Sequence, residues 1–144
     1  MEKIEVFPIG FIKKTSYSED VKDRMPISEI MLKKEFTEAL DRIEDFSHIY
    51  VVFWLHKIEK TALKINPEDK MGILATRAPI RPNPIGLTLV ELVKHDKNVL
   101  WVRGLDAYEG TPVLDIKPYP DWEQGRWVIP KNFRVPDWLE NIIK

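Results

Sequence analysis

Two arginines and an amide on a proline-stiffened stretch are the first groups in this sequence that suggest chemistry: Arg77-Ala78-Pro79-Ile80-Arg81-Pro82-Asn83-Pro84-Ile85-Gly86-Leu87. Pro79, Pro82 and Pro84 each fix φ and remove a backbone donor, and each pushes its preceding residue toward extended geometry. Arg81 and Asn83 are therefore expected to project from a rigid loop. A planar guanidinium and an amide would there be pre-positioned for a carboxylate or phosphate, with little ordering entropy left to lose. A stiff connector carrying solvated arginines is the competing reading. A second cluster follows from the run His48-Ile49-Tyr50-Val51-Val52-Phe53-Trp54-Leu55. On a strand it puts Ile49, Val51, Phe53 and Leu55 on one face and His48, Tyr50, Val52, Trp54 and His56 on the other. The third is the acidic, aromatic stretch Asp106-Ala107-Tyr108-Glu109, between Gly104 and Gly110. Either cluster also has a plain reading, as histidines at the ends of a half-buried aromatic face and as an ordinary turn.

The elements that must carry these groups read mostly as short strands. Ile4 to Phe11 alternates weakly around Pro8 and Gly10 and suits an opening edge strand. Lys13 to Ile27 is expected to be a loop. Phe36, Ala39, Leu40 and Ile43 recur at helical spacing and predict a short amphipathic helix near 34–44. His48 to Leu55 is the strongest strand, and Lys57 to Lys70 is a polar connection with a turn at Asn66-Pro67-Glu68-Asp69. Met71 to Thr76 is predicted as a short strand leading into the proline-rich loop, and Leu87 to Lys94 as the strand leading out. Asp96-Lys97-Asn98 should turn it into Val99 to Arg103, with Val113 to Ile116 as another strand. Beyond Pro118 only Asp137 to Ile143 looks helical. Trp122, Trp127 and Trp138 are expected to cover the barrel or a partner subunit in a docked tail.

Composition limits the classes. The 144 residues, 44% apolar, predict one soluble domain spanning 1–144. No run approaches the ~20 apolar residues of a membrane span, and Met1-Glu2-Lys3 does not open a signal peptide, so a cytoplasmic place is expected and no membrane partner. The absence of cysteine excludes a thiol nucleophile and a cysteine-held cluster. A formal charge of −1 restricts nucleic-acid contact to a local patch. There is no dinucleotide fingerprint, phosphate loop, zinc helix or nucleophile elbow, and no metal site is predicted. Many short strands with one or two helices indicate a mainly all-β fold, a small single-sheet β-barrel with one short helix.

The stretch Ala75 to Leu87 resembles the signature of the TsaA-like, or TrmO, family. Gly104-Leu105-Asp106 through Gly110-Thr111-Pro112-Val113-Leu114-Asp115-Ile116-Lys117-Pro118-Tyr119 resembles its second signature, and Phe46-Ser47-His48 its strand entry. The resemblance spans most of residues 46–119. It implies a small β-barrel, usually dimeric, that binds S-adenosylmethionine without a Rossmann fold. Bacterial members methylate N6 of threonylcarbamoyl-adenosine beside the anticodon of threonine tRNA. Carried over by position, cofactor contacts would fall at Arg24, Met25 and Pro26, at His56 and Lys57, at Arg77 and Leu87, and at Ala107, Tyr108, Glu109 and Gly110. Ala78 stands where serine is common in the family and Glu109 where aspartate is usual. The first loop lacks the usual Pro-Arg-Gln order, and bacterial members continue into a further domain beyond the point matching Lys144.

A sulfonium donor carries its own leaving group, so the protein needs chiefly to align the nucleophile with the methyl and activate it. The resemblance thus leaves three candidates for the base that takes the N6 proton: His48, Asp106 and Asp115. Tyr108 or Trp54 could stack on adenine or face the sulfonium, and Arg77 or Arg81 could bind a carboxylate, with Asn83 beside them. The leading expectation is a dimeric S-adenosylmethionine-dependent tRNA methyltransferase. Its rivals are an S-adenosylmethionine-binding module or sensor without chemistry, separated by turnover, and an RNA-binding barrel using Lys33, Lys34, Arg77 and Arg81, whose binding would not need the cofactor.

Overall fold

A computed structural model describes residues 2–64, 71–123, 126–127 and 132–143. Six strands close into an antiparallel barrel in the order β1-β2-β5-β4-β3-β6: β1 (Gly10–Lys14), β2 (Ser28–Leu32), β3 (His48–Trp54), β4 (Ile85–Asp96), β5 (Val99–Arg103) and β6 (Pro112–Tyr119). Beside it lie a two-stranded ribbon, β7 (Trp122–Glu123) with β8 (Arg126–Trp127), and one α-helix, α1 (Asp137–Ile143). This is the mainly β, single-sheet barrel with one short helix that the sequence predicts.

The alternation read from β3 holds. Ile49, Val51 and Phe53 are buried, and they meet Ile12, Ile30, Val90, Leu100, Val102, Leu105 and Val113 inside the barrel. Each such aliphatic side chain contributes about 1.5–3 kcal/mol by leaving water. The hairpin of β4 and β5 also forms as expected, with Lys97 left-handed at its turn.

Four expectations need correction, and one strand was not anticipated at all. The opening strand begins at Gly10, not Ile4, and Ile4 is 90% exposed. Pro8 has no N–H to give a ladder, and the close approach of β1 to β2 occurs at Gly10, where a Cβ would strike the carbonyl oxygen of Met31. β2 was not anticipated, although Ser28, Ile30 and Leu32 alternate inward. The segment predicted as an amphipathic helix is two 3-10 turns, Lys34–Leu40 and Ile43–Asp45, broken by left-handed Arg42 at φ 71°. Leu40 and Ile43 alone anchor it on the core, which suits a tight connector between β2 and β3. Met71 to Thr76 makes a 3-10 turn at Ile73–Ala75, since a closed barrel offers no free edge to another strand. In the tail α1 forms where predicted, but Phe133, Trp138 and Ile142 are 71, 55 and 71% exposed, so these residues are not docked on the barrel. The side chains of Trp122 and Trp127, and the turn predicted at Asn66 to Asp69, lie outside the described residues.

The strand order collects the loops that matter. Trp54 ends β3 opposite Ile85, which starts β4, and Phe53 faces Val113 at the start of β6. Lys14 ends β1 opposite Glu29 of β2, and Ser28 faces Val102 near the end of β5. The connections 15–27, 55–84 and 104–111 therefore leave from one end of the barrel.

Candidate functional site

Those loops surround a cleft of about 680 Å³. Phe53, Leu55, Ile58, Ile85 and Leu87 give it an apolar wall, and Arg77, Arg81, Thr88, Asp106 and Tyr108 supply polar groups. Gly86 is required there: the ring of Phe53 occupies the space a Cβ at this position would fill. At the base of the cleft buried Thr88, on the inward register of β4, donates its hydroxyl to Oδ1 of Asp106 at 2.6 Å. Oδ2 of the same carboxylate faces the Arg24 guanidinium at 3.8 Å. Arg24 is itself fixed by donating Nε to the Gly104 carbonyl at 2.8 Å. The acidic loop is pinned to the barrel through Thr111, whose hydroxyl donates to the Tyr108 carbonyl at 2.6 Å and whose own carbonyl accepts from the Ile12 N–H at 2.9 Å.

The proline-rich loop does not hold its arginines free. Arg81 turns back and donates Nη1 to the carbonyls of Thr76 and Ala78 at 2.9 and 3.0 Å, and Arg77 donates to the carbonyl of Leu87. Three prolines remove donors while the carbonyls remain, and arginine supplies the missing N–H groups. Both guanidinium groups still border the cleft. Asn83 is exposed and lies outside the lining.

Of the three candidate bases the fold brings only Asp106 into the cleft. His48 points to the outer barrel face, where Nδ1 lies 2.8 Å from the Ser47 hydroxyl and its ring meets Tyr119 edge-on at 6.3 Å. Period-two alternation makes this unavoidable once Ile49, Val51 and Phe53 point inward. Trp54 is outside the lining too, although its β4 partner Ile85 reaches it. The alternation does not extend to His56, because the strand stops at Trp54 and His56 turns into the rim with Lys57. Asp115 is engaged elsewhere, paired with Lys117 at 2.9 Å on β6.

Among the residues carried over as cofactor contacts, His56, Lys57, Arg77, Leu87, Ala107 and Tyr108 line the cleft. Arg24 stands behind Asp106. Met25, Pro26, Glu109 and Gly110 are exposed beyond the lining, with the Met25 carbonyl accepting from Arg103 Nε at 3.0 Å. Tyr17, Thr88 and Thr111 were missed. Thr88 carried a signal, a hydroxyl on the buried register of an apolar strand, whereas nothing around Tyr17 marks it in a polar loop.

Residues 18–122 match the tRNA-methyltransferase O N-terminal domain model. The chain belongs to that family. It is 44% identical over 125 residues to a probable S-adenosyl-L-methionine-binding protein of Methanothermobacter thermautotrophicus, covering 81% of this chain and 90% of that one. A crystal structure of TrmO superposes with a TM-score of 0.74 at 33% identity, covering 94% of this chain and 64% of the other. The human tRNA (adenine(37)-N6)-methyltransferase is 42% identical over 87 residues, 56% of this chain and 20% of that protein. The chain thus spans nearly all of the archaeal relative but under two thirds of the two tRNA-methyltransferase chains.

Proposed function

We propose that this protein is an S-adenosylmethionine-dependent methyltransferase acting on N6 of the adenine beside the anticodon of tRNA, with the threonylcarbamoyl form of that base as substrate. The observation that carries the reading is a carboxylate, Asp106, held by buried Thr88 at the base of the cleft of a tRNA-methyltransferase O family domain. The cleft suits the cofactor. Its volume falls within the roughly 300–1,000 Å³ of small-ligand sites, with apolar surface for a purine and a few polar groups to orient it. When bound, S-adenosylmethionine supplies an electrophilic methyl on a sulfonium that carries its own leaving group.

The residues of the chain do the rest. Arg77 and Arg81 keep N–H donors beyond those spent on backbone oxygens. These suit a carboxylate, which the methionine moiety and the threonylcarbamoyl group both carry. Tyr108 lines the rim, while Phe53, Leu55 and Ile58 exclude water. Thr88 fixes Oδ1 of Asp106, and Oδ2, which faces the Arg24 guanidinium at 3.8 Å, is the oxygen that takes the N6 proton. The supporting comparisons are a relative named for binding this cofactor and another named for methylating N6 of adenine 37 in tRNA.

A symmetric homodimer is part of the same proposal. Ile85, Leu87 and Leu89 on the outer face of β4 are 41, 42 and 40% exposed, opposite half-buried Trp54, Val52 and Tyr50 of β3, and the first two also border the cleft, so the strip runs from the cleft wall along the barrel. That apolar strip is a surface a second copy could cover. No described helix is long and apolar enough to cross a membrane. A cytoplasmic place is proposed with the tRNA substrate.

The test is incubation with labelled S-adenosylmethionine and total tRNA from wild-type and threonylcarbamoyl-deficient cells, followed by nucleoside analysis. Label in N6-methylated threonylcarbamoyl-adenosine from the first source alone is expected, and no label in either overturns the enzyme. A second reading, a cofactor-binding module without chemistry, is favoured by the name of the archaeal relative that matches this chain over 90% of its length. Binding without turnover would establish it.

A further inference from the structure

At the mouth of the cleft lies a basic and aromatic cluster that the reaction above leaves largely unused. Tyr17, from the 15–27 loop, stacks on Tyr108 of the acidic loop with ring centroids 5.7 Å apart and planes 23° from parallel. Lys22 donates Nζ to the Tyr108 hydroxyl at 3.0 Å and stands 5.0 and 5.2 Å from the two ring centroids. Lys57, from the loop after β3, brings a second ammonium to 4.9 Å from the Tyr108 ring. Two loops from opposite sides of the cleft thus place two cations on one tyrosine, and neither forms an ion pair with a carboxylate among the described residues. Glu19 adds to the field at Lys22 without pairing with it. The Tyr108 hydrogen bond, with desolvation opposing it, raises the Lys22 pKa from its ordinary value, so the group is charged at neutral pH.

This concentration of positive charge occurs in a chain whose formal net charge is −1. Lys22 is exposed and outside the cleft lining, so it stands at the rim on Tyr108 and not among the groups around Asp106. An ammonium acts as a point charge that accepts an oxyanion from many directions, and the tyrosine faces restrict its wandering. That is the chemistry of a backbone contact that positions a strand without reading its sequence.

We propose that Lys22, held on the Tyr17–Tyr108 stack and flanked by Lys57, binds a phosphodiester of the RNA strand that presents the methyl-accepting base. The proposal rests on the methyltransferase reading and adds to it a rim site that fixes the register of the RNA. The alternative oxyanion, the cofactor's own carboxylate, makes a different prediction.

The experiment is a salt titration of tRNA binding by fluorescence anisotropy on the full chain, with calorimetry of S-adenosylmethionine binding and methyl transfer measured alongside. Lys22→Gln should weaken tRNA binding about tenfold near 0.1 M salt and reduce the slope of log affinity on log salt by about 0.7–0.9, one phosphate's worth. Lys22→Arg should restore both. Lys94→Gln, which removes a similar lysine 4.9 Å from the Trp101 ring outside the cleft lining, should change neither. Cofactor affinity should be the same in all four proteins. Unchanged tRNA affinity and salt slope in Lys22→Gln overturns the rim site, and so does a loss confined to cofactor affinity, which would place a carboxylate there. Because binding is read directly, a wild type that binds tRNA with the Lys22-dependent slope but transfers no methyl would overturn the enzyme reading and leave the rim site standing.

Discussion

Thr88→Val removes one hydroxyl and keeps the shape of a buried side chain, so it isolates what the hydrogen bond to Asp106 does. Thr88 is 5% exposed and its Oγ1 lies 2.6 Å from Oδ1, a short, charge-assisted contact. A hydrogen bond to a charged group is worth about 1.5–3 kcal/mol when fully buried. The Asp106 side chain is 34% exposed, so water can partly replace the lost donor, and a magnitude at or just below the bottom of that range, about 1–2 kcal/mol, is appropriate. If that energy holds the carboxylate in its proton-accepting position, the single-turnover rate of methyl transfer should fall about 5–30-fold at saturating cofactor and tRNA, with cofactor affinity little changed. Thr88→Ser keeps the donor and loses a methyl worth about 0.8 kcal/mol of burial, so it should melt lower than wild type while restoring most of the rate. Both variants are then expected to melt below wild type, but only the Val variant to lose rate. A Val variant that transfers methyl at the wild-type rate would refute the positioning role, and Ser and Val variants impaired equally would show that Thr88 acts by packing alone.

Arg81→Ala should release the carbonyls of Thr76 and Ala78 and lower stability by about 1–2 kcal/mol, with Arg81→Lys recovering only part because one ammonium does not reproduce the guanidinium fork; a Tm equal to wild type in the alanine variant would contradict the tethering role. S-adenosylmethionine or its demethylated product at about 100 times Kd should add roughly 2.7 kcal/mol and raise Tm by about 5–10 °C, and Tyr108→Ala should reduce that rise. No shift with either compound would count against the cofactor site. Light scattering should report a dimer that Leu89→Lys dissociates, since Leu89 is the member of the exposed apolar strip of β4 that lies outside the cleft lining; a wild-type monomer at every practical concentration would remove the dimer from the proposal.

What the sequence made legible was decided by how local the governing interactions are. Alternation along His48 to Trp54 is a property of one strand, and it predicted both the buried face and, had the barrel's interior been taken as core, the exile of His48 to the outside. Helix α1 was equally local and formed within its predicted bounds. The 34–44 segment failed because helical spacing of Phe36, Leu40 and Ile43 does not register how little room the connection between β2 and β3 leaves. Met71 to Thr76 failed for a topological reason, since a strand needs an edge and the closed sheet had none.

The cleft itself depends on contacts between distant residues. Thr88 and Asp106 are 18 positions apart and meet because β4 and β5 run antiparallel and the acidic loop folds back over the inward face of β4. Tyr17 reaches Tyr108 only through the pairing of β1 with β6 and β2 with β5, one strand of which was not foreseen. The proline-rich loop shows the limit most clearly. Proline content was read as stiffness, and stiffness states nothing about which donors the loop lacks. A segment with three prolines keeps all of its carbonyl oxygens and gives up N–H groups, so its arginines are drawn inward to satisfy it before they can serve a ligand. In such loops a guanidinium has to be assigned first to the backbone, and only its remaining N–H groups to chemistry.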